Sequence, residues 1–233
     1  MTDAGSRRFR VAINAEALAL AWARQEAAPA GAVVVVEHEI SPRGRLGRLW
    51  PHPPERTAVL AVVWRPDLGA DQADLVWPAA SLGLLAAARS LAADPSMGLH
   101  WPDALVDVDT RRIGEVRAET QLQPGRVAST VVTARLDLAA LGRPGRDTAI
   151  AAMVEGLATA ADQLGADIDG VRVAYTEACV LTGRRVVARL LPRGTARGSA
   201  RGVDDHGRME LVSSTGFVER IQVDTLDRLE LKP

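Results

Sequence analysis

The sequence has very little cysteine and very little lysine: Cys179 and Lys232 are the single examples among 233 residues. One cysteine excludes an internal disulfide. Without a recognisable histidine partner motif, such a residue is typical of a small buried hydrophobe rather than a nucleophile. The sequence also lacks a charged-then-apolar leader and any apolar run long enough to cross a membrane. We therefore expect a cytoplasmic protein with no membrane partner.

Because lysine is so scarce, arginine carries the positive charge of this chain. All but one of the 28 basic residues are arginines, and 29 acidic residues bring the formal net charge to -1. A balanced charge argues against bulk electrostatic binding of a polyanion, so we predict no nucleic-acid partner. The 4 histidines show no i, i+4 spacing for a metal, so we predict no metal site built from side chains.

A hydrophobic content of 47% is enough for one medium domain and a small one. Periodicity and composition predict strands at 10–13, 33–37, 58–64, 104–107, 113–120 and 128–138, and helices at 15–27, 79–92 and 148–165. Asp147 or Thr148 is the expected N-cap of the third helix. The last fifty residues carry short strands at 185–190, 196–203, 208–213 and 217–222.

An arginine loop, defined here as residues 43–50 with the sequence RGRLGRLW, follows the apolar run at 33–36. Glycine lets a backbone approach a ligand closely, and arginine supplies fixed positive charge with forked donors. The loop therefore predicts a site for a nucleotide or an acyl-phosphate. The alternative is a solvated surface turn or a nonspecific polyanion patch, which the segment RGRLGR does not exclude by itself.

Six segments of the chain resemble, in order, the landmarks of one family. The arginine loop is similar to the motif GRGRRGRxW, residues 99–106 to KWPNDL, residues 111–116 to RKLAGIL, and residues 131–138 to VVGIGINV. Residues 181–186 are similar to the motif LGRxV that enters a small terminal domain, and residues 198–207 to its hairpin GxArGID-x-x-G. Together these segments resemble the biotin protein ligase and lipoate ligase family.

The resemblance runs from about residue 10 to the C-terminus and implies an α+β fold. We expect a mixed sheet flanked by helices, as in the ligase catalytic domain, followed by a small C-terminal SH3-like β-barrel. The implied boundaries are a tail at 1–8, the catalytic domain at 9–182 and the C-terminal domain at 183–233. No helix-turn-helix stretch precedes Arg10, so we expect the shorter form without a DNA-binding domain.

Ligases of this family use ATP to turn the biotin carboxylate into an acyl-adenylate, then transfer the acyl group to a lysine of a carrier protein. The resemblance implies ATP with Mg²⁺ and biotin as cofactors and a biotin carboxyl carrier domain as partner, and it leaves a homodimer open. A carboxylate and a triphosphate repel each other, so such a site must supply positive charge and oriented donors. The residues that match the family's nucleotide and acyl-adenylate contacts are Arg43, Gly44, Arg45, Gly47, Arg48, Trp50, Trp101, Asp103 and Asp137.

The sequence departs from the family where the substrate is expected to lie. Arg112 replaces the family lysine that contacts both the carboxylate and the reacting phosphate, and it is our candidate catalytic residue. Arginine keeps the charge but is planar and longer than a compact ammonium. The acyl pocket is predicted at Glu16, Glu39 and Glu115, where the family has a serine-threonine-asparagine stretch, a glutamine and a small residue.

Two hypotheses about function follow from this pattern. The first is a biotin protein ligase-like enzyme with an altered acyl substrate, which the retained arginine loop favours. The second is a catalytically weakened paralogue that acts as a nucleotide-binding, cofactor-binding or protein-interaction module, which Arg112 and Glu115 favour. A buried site built to pair particular groups rejects ligands that leave them unpaired, often by ~10⁴-fold. Under either hypothesis we expect poor binding of free biotin.

Overall fold

The computed structural model describes residues 5–232, so positions 1–4 of the expected tail lie outside the described residues. The α-helices are α1 (Ala15–Gln25), α2 (Val76–Leu91), α3 (Arg146–Ala166) and α4 (Ile168–Ala178). The strands are β1 (Ser6–Ala12), β2 (Val33–Glu39), β3 (Thr57–Trp64), β4 (Met97–His100), β5 (Ala104–Asp107), β6 (Arg112–Gln123), β7 (Arg126–Asp137), β8 (Arg185–Leu190), β9 (Thr195–Val203), β10 (Met209–Val212), β11 (Val218–Ile221) and β12 (Leu226–Leu231). Short 3₁₀ turns lie at Arg45–Gly47, Pro54–Arg56 and Ala70–Leu75.

The first seven strands form one mixed sheet in the order β1-β2-β3-β7-β6-β5-β4. β1 runs parallel to β2, and the other neighbouring pairs are antiparallel. Helix α1 packs on one face of this sheet, while α2, α3 and α4 pack on the other. The predicted α+β architecture, a mixed sheet flanked by helices, is confirmed.

The run of four valines in β2 shows why a sheet covered on both faces needs continuous apolar sequence. Val33 and Val35 belong to the core beneath α2 and α3, whereas Val34 and Val36 belong to the core beneath α1. Successive side chains of a strand point to opposite faces, so burial on both sides removes the usual apolar-polar alternation. The neighbouring strand β3 follows the same rule, since all of its residues are buried.

Helices α2 and α3 cross at a pair of glycines. A Cβ added to Gly83 would lie 2.7 Å from the carbonyl oxygen of Gly156, which is closer than a real Cβ comes to backbone. Glycine at this crossing therefore lets the two helix backbones approach each other directly. This packing fixes the helical layer that supports the sheet.

The last five strands form a second, antiparallel sheet in the order β11-β10-β9-β8-β12. Its inward residues, among them Val186, Ala188, Leu211 and Leu226, join the same hydrophobic core as α2. The predicted C-terminal sheet is present. Closure into an SH3-like barrel and the domain boundaries at 8/9 and 182/183 stay predictions.

Several element boundaries differ from those predicted. β1 begins at Ser6 rather than Arg10, because residues 6–9 pair in register with residues 33–36 of β2. Helix α1 ends at Gln25, and Ala27 has a φ of 49°, outside helical backbone. The N-cap of α3 is Gly145 without a side-chain hydrogen bond, so the prediction of Asp147 or Thr148 was wrong.

Three elements were not predicted as separate units: α4, β4 and β12. Helix α4 starts directly after α3, where the Asp167 side chain accepts a hydrogen bond from the N–H of Gly170 at 2.8 Å. β12 is held by pairing with β8, a partner about forty residues earlier in the chain. Across residues 5–232, no helix has both the length and the apolar character needed to cross a membrane.

Candidate functional site

The residues predicted to form the acyl pocket come from three separate elements. Glu16 lies in the first turn of α1, Glu39 ends β2, and Glu115 lies in β6. Oε1 of Glu39 accepts a hydrogen bond from the backbone N–H of Ala15 at 2.8 Å. A carboxylate suits this position because the unpaired N–H groups at a helix N-terminus are partly positive. The end of β2 is thereby fixed to the start of α1.

A buried arginine that was not among the predicted site residues joins two of these carboxylates. Arg135, in β7, has no solvent exposure. Its Nε and Nη2 donate to the two oxygens of Glu39 at 2.8 and 3.1 Å, and its Nη1 donates to Oε1 of Glu115 at 2.9 Å. A planar guanidinium matches a carboxylate in this forked geometry. The centre of the predicted pocket therefore holds a paired arginine.

Arg112, the candidate catalytic residue, lies beside the same cluster. Its Nη1 donates to Oε2 of Glu115 at 2.9 Å, and both Nη atoms lie 3.3 Å from oxygens of Asp103. Burial raises the pKa of the Glu115 carboxyl, although Arg135 and Arg112 oppose that rise. We call Glu39, Arg135, Glu115, Arg112 and Asp103 the ion-pair cluster.

The first glycine of the arginine loop packs directly against this cluster. A Cβ added to Gly44 would lie 2.6 Å from Oε2 and 2.8 Å from Oε1 of Glu115. A larger side chain at position 44 would therefore displace the Glu115 carboxylate from its hydrogen bonds with Arg135 and Arg112. The second glycine, Gly47, has a φ of 71°, a left-handed conformation that favours glycine, so it serves the turn itself.

Two arginines of the loop contact residues 223–227, which comprise part of the turn after β11 and the first two residues of β12 and which we call the C-terminal turn. Arg45 is 7% exposed, and its guanidinium donates to the carbonyl of Leu226, to that of Asp227 at 2.9 Å, and weakly to that of Val223 at 3.4 Å. Burial lowers the pKa of Arg45. The predicted phosphate loop is thus docked onto the C-terminal sheet.

Arg48 and the third loop arginine, Arg43, lie on the surface. The half-exposed Arg48 donates through Nη2 to the carbonyl of Asp227 at 2.8 Å and to its Oδ1 at 3.0 Å. Arg43 donates through Nε to Oγ of Ser41 at 3.0 Å and through Nη1 to the carbonyl of Gly47 at 2.9 Å. The second of these hydrogen bonds joins the two ends of the loop's tight turn. Both cations are accessible from solvent.

Glu16 pairs with an arginine on the neighbouring strand. Nε of Arg117, in β6, lies 2.9 Å from Oε2 of Glu16, and Nη1 of Arg117 donates to the carbonyl of Gly44 at 3.3 Å. Burial raises the pKa of Glu16, while Arg117 opposes the rise. The third predicted pocket carboxylate is thus tied to the arginine loop as well.

The remaining predicted contacts lie around this centre. Trp50 is buried, and its Nε1 donates to Oγ1 of Thr57 at 2.9 Å. Asp137 accepts hydrogen bonds from Arg56 at 2.5 and 3.1 Å. Trp101 has no solvent exposure. In the described part of the chain, no group of three or more His, Cys, Asp or Glu side chains is placed to hold a metal ion.

The resemblance to the VVGIGINV motif contained a signal that would have found Arg135. When residues 131–138 are read against that motif, the fifth position is glycine in the family and Arg135 in this chain. A glycine and a small residue on two adjacent strands have therefore become Arg135 and Glu115. β6 and β7 place the two directly opposite each other.

Comparison with solved structures identifies the architecture. A biotin protein ligase from Aquifex aeolicus in complex with biotin and ATP matches 98% of this chain and 99% of its own, with a TM-score of 0.77 and 15% sequence identity. This chain has the fold of biotin protein ligases. The expected resemblance is thereby confirmed at the level of fold, and at such identity it extends no further.

Two further structures show the range of this likeness. A biotin protein ligase-like protein of unknown function from Silicibacter matches 93% of each chain, with a TM-score of 0.70 and 17% identity. Biotin acetyl coenzyme A carboxylase synthetase from Helicobacter pylori, with bound biotinylated ATP, matches 92% of this chain and 98% of its own, with a TM-score of 0.60 and 14% identity. No family model matches the sequence, and no curated protein matches it at a significant level.

Proposed function

We propose that this chain uses the biotin protein ligase fold as a binding module and does not activate biotin. In this proposal the acyl pocket has become an ion-pair cluster, and the surface of the arginine loop remains a site for a phosphate-bearing ligand. The observation that carries the proposal is Arg135, fully buried and hydrogen-bonded to both Glu39 and Glu115.

The ion-pair cluster occupies positions that the family motifs keep small. Arg135 and Glu115 stand where the family motifs have glycine and a small residue, and they meet at 2.9 Å. The Glu115 carboxylate also fills the space beside the Cα of Gly44. To enter this space, the uncharged ring system of biotin would have to separate a buried ion pair and leave charge unpaired, which costs several kcal/mol, about 3–5 when one partner of such a pair is lost.

Arg112 is poorly suited to the role of the family lysine. Its guanidinium lies between Glu115 at 2.9 Å and Asp103 at 3.3 Å. Two carboxylates offset its positive charge, whereas adenylate formation needs free positive charge where negative charge develops on the reacting phosphate. We therefore infer that biotin-dependent turnover is very slow or absent.

A phosphate-bearing ligand is supported by the exposed part of the loop. Arg43 and Arg48 present guanidinium groups at the surface, while Arg45 holds the loop against the C-terminal turn. The phosphates of ATP would meet Arg43 and Arg48 first. Protein carboxylates offer no cluster for Mg²⁺ among residues 5–232, so any Mg²⁺ would arrive with the nucleotide.

Calorimetric titration tests this proposal. Biotin should give no binding heat, whereas ATP should bind. In that case Arg48→Ala should weaken binding by about 1.5–3 kcal/mol, the range for hydrogen bonds to charged groups. Micromolar binding of free biotin with biotin-dependent pyrophosphate release would overturn the proposal.

A second candidate function is ATP-dependent activation of a different carboxylic acid, followed by acyl transfer to a carrier-protein lysine. One observation favours it: the Arg112 side chain is 33% exposed beside the loop, so a charged substrate could exchange partners with the ion-pair cluster. A screen for pyrophosphate exchange with lipoate, octanoate and amino acids, with a biotin carboxyl carrier domain as acceptor, separates the two. A carboxylate that turns over would favour the enzyme.

A further inference from the structure

The outward face of the C-terminal sheet gathers positive charge on three neighbouring strands. The backbone N–H of Lys232, directly after β12, donates to the carbonyl of Arg185 in β8 at 2.9 Å. Arg185 is paired across the ladder with Ser199 in β9. Side chains at directly opposed positions leave the sheet on the same face, and so do residues two apart on one strand. Arg197 therefore joins Lys232, Arg185 and Ser199 on this face.

These side chains surround an open cavity of about 340 Å³. Its polar lining consists of three cations and three hydroxyls: Arg185, Arg197, Lys232, Ser199, Ser213 and Ser214. We call this cavity the basic groove. Its volume lies at the lower end of the range for small-molecule sites, about 300–1,000 Å³.

The cations of the basic groove differ from the other arginines of the same sheet. Arg189 and Arg228 have Glu230 as an acidic neighbour, at 3.9 and 2.8 Å. Arg201 and Arg220 have Glu210 as theirs, at 3.9 and 3.2 Å.

By contrast, no carboxylate of residues 5–232 lies within 4.0 Å of the charged groups of Arg185, Arg197 or Lys232. Like charges placed opposite each other on neighbouring strands destabilise a sheet. An anion bound among them would remove that repulsion. This arrangement of charges therefore favours a negatively charged ligand in the basic groove.

We propose that the basic groove binds a small oxyanion with two or more negative charges, of the phosphate-ester class. Arginine forks and serine hydroxyls both donate to phosphate oxygens, and lysine adds a point charge. A nucleic acid needs an extended positive track along its backbone. Here Glu230 on β12 and Glu210 on β10 flank the unpaired cations, so the positive charge does not continue as a track. A small anion therefore fits the basic groove better than a nucleic acid does.

Nuclear magnetic resonance titration of the full chain with inorganic phosphate and with pyrophosphate tests the groove. The backbone amides of Gly198, Ser199 and Ser213 should shift and saturate as ligand is added. Shifts confined to the arginine loop, or none at these three amides, would overturn the proposal. Because the two sites are read at separate amides, failure here leaves the proposed function of the loop untouched, and the reverse also holds.

A matched pair of double variants shows whether the cations act specifically. Arg185→Ala with Arg197→Ala should raise the Kd for pyrophosphate by about tenfold or more, as expected for losing charged hydrogen bonds. Arg24→Ala with Arg193→Ala removes two exposed arginines elsewhere and should leave the Kd within about twofold of the original, since it touches no groove residue. Equal effects of the two double variants would contradict a built site.

Two control measurements complete the experiment. Both double variants remove only exposed side chains, so we expect both to fold. Melting temperatures measured by circular dichroism check this. Titration with a 20-base-pair DNA duplex covers the other polyanion class. Binding tighter than pyrophosphate, with an affinity that falls steeply as salt rises, would replace the small-anion proposal with a nucleic-acid surface.

Discussion

The ion-pair cluster and the basic groove use the same residue type in opposite ways. In the cluster, Arg135 is buried and each of its nitrogens donates to a carboxylate. In the groove, Arg185 and Arg197 are exposed and have no carboxylate within 4.0 Å among the described residues. A buried charge must be paired inside the protein, whereas an exposed unpaired charge is available to a ligand. Pairing therefore supports a structural role for the cluster, and its absence supports the binding role that we propose for the groove.

The largest effect should come from breaking the cluster at Arg135. Arg135→Ala leaves Glu39 buried without a cation and Glu115 with Arg112 alone, so we expect the free energy of unfolding to fall by about 3–5 kcal/mol. Urea denaturation monitored by tryptophan fluorescence measures this loss. The control is Arg24→Ala, an exposed residue that should change stability by less than about 0.5 kcal/mol.

A volume-matched neutral replacement sharpens this prediction. Combining Arg135→Met with Glu39→Gln and Glu115→Gln removes all three charges together, so much of the stability should return. If Arg135→Ala lowers the free energy of unfolding by less than about 1 kcal/mol, Arg135 is not held in place by its carboxylate partners, and the pocket is not closed by the ion-pair cluster.

The next effect tests whether the arginine loop is docked by Arg45. Arg45→Ala removes the donors to the carbonyls of Leu226 and Asp227, and we expect a loss of up to about 3 kcal/mol of unfolding free energy. Arg48→Ala, whose side chain is half exposed, should cost less than about 1 kcal/mol. Similar losses for both variants would mean that burial does not distinguish the two arginines.

Asp74, a half-buried carboxylate that accepts no hydrogen bond from arginine, extends the comparison to pH. Burial raises the pKa of Asp74 from the ordinary 3.8 to about 6, even though the N–H of Val223 donates to it at 3.3 Å. Because the folded pKa lies above the unfolded one, the folded state binds more protons between these values. Stability from this group therefore falls as pH rises from about 4 to about 6 and is level above that.

The size of this pH effect should be about 2 kcal/mol, after allowance for partial exposure of the side chain. Asp74→Asn keeps an oxygen that can accept from Val223 but does not titrate. Urea unfolding at pH 4.5 and pH 7 should show a smaller difference in the variant than in the original protein. An unchanged difference would place the titrating group elsewhere.

The sequence predicted the fold better than the site, for a physical reason. Apolar runs such as Val33–Val36 and glycine-rich turns are local patterns that predict individual strands and helices, and the family resemblance implied their arrangement in a mixed sheet. The meeting of Glu39 and Glu115 could also be predicted, through motifs with known positions in a fold. The roles of Arg135 and Arg45 could not, because pairing inside a buried strand and docking onto carbonyls some 180 residues away are long-range contacts.

The smallest effect should come from restoring the family lysine alone. Arg112→Lys returns a compact ammonium to the position where the family motif has lysine, yet Glu115 and Asp103 still surround it. A missing oxyanion-type donor typically costs about 10²–10³ in rate, so a working pocket should recover on that scale. With Arg135 still closing the pocket, we expect no measurable rise in biotin-dependent pyrophosphate release.

A triple variant that combines Arg112→Lys with Glu115→Gly and Arg135→Gly reopens the positions that the family motifs leave small, and the same assay measures its activity. A rise in the triple variant alone would show that the cluster, and not residue 112, holds activity down. A rise in the single variant would show that the pocket still admits biotin, and the ligase hypothesis would replace the binding-module proposal.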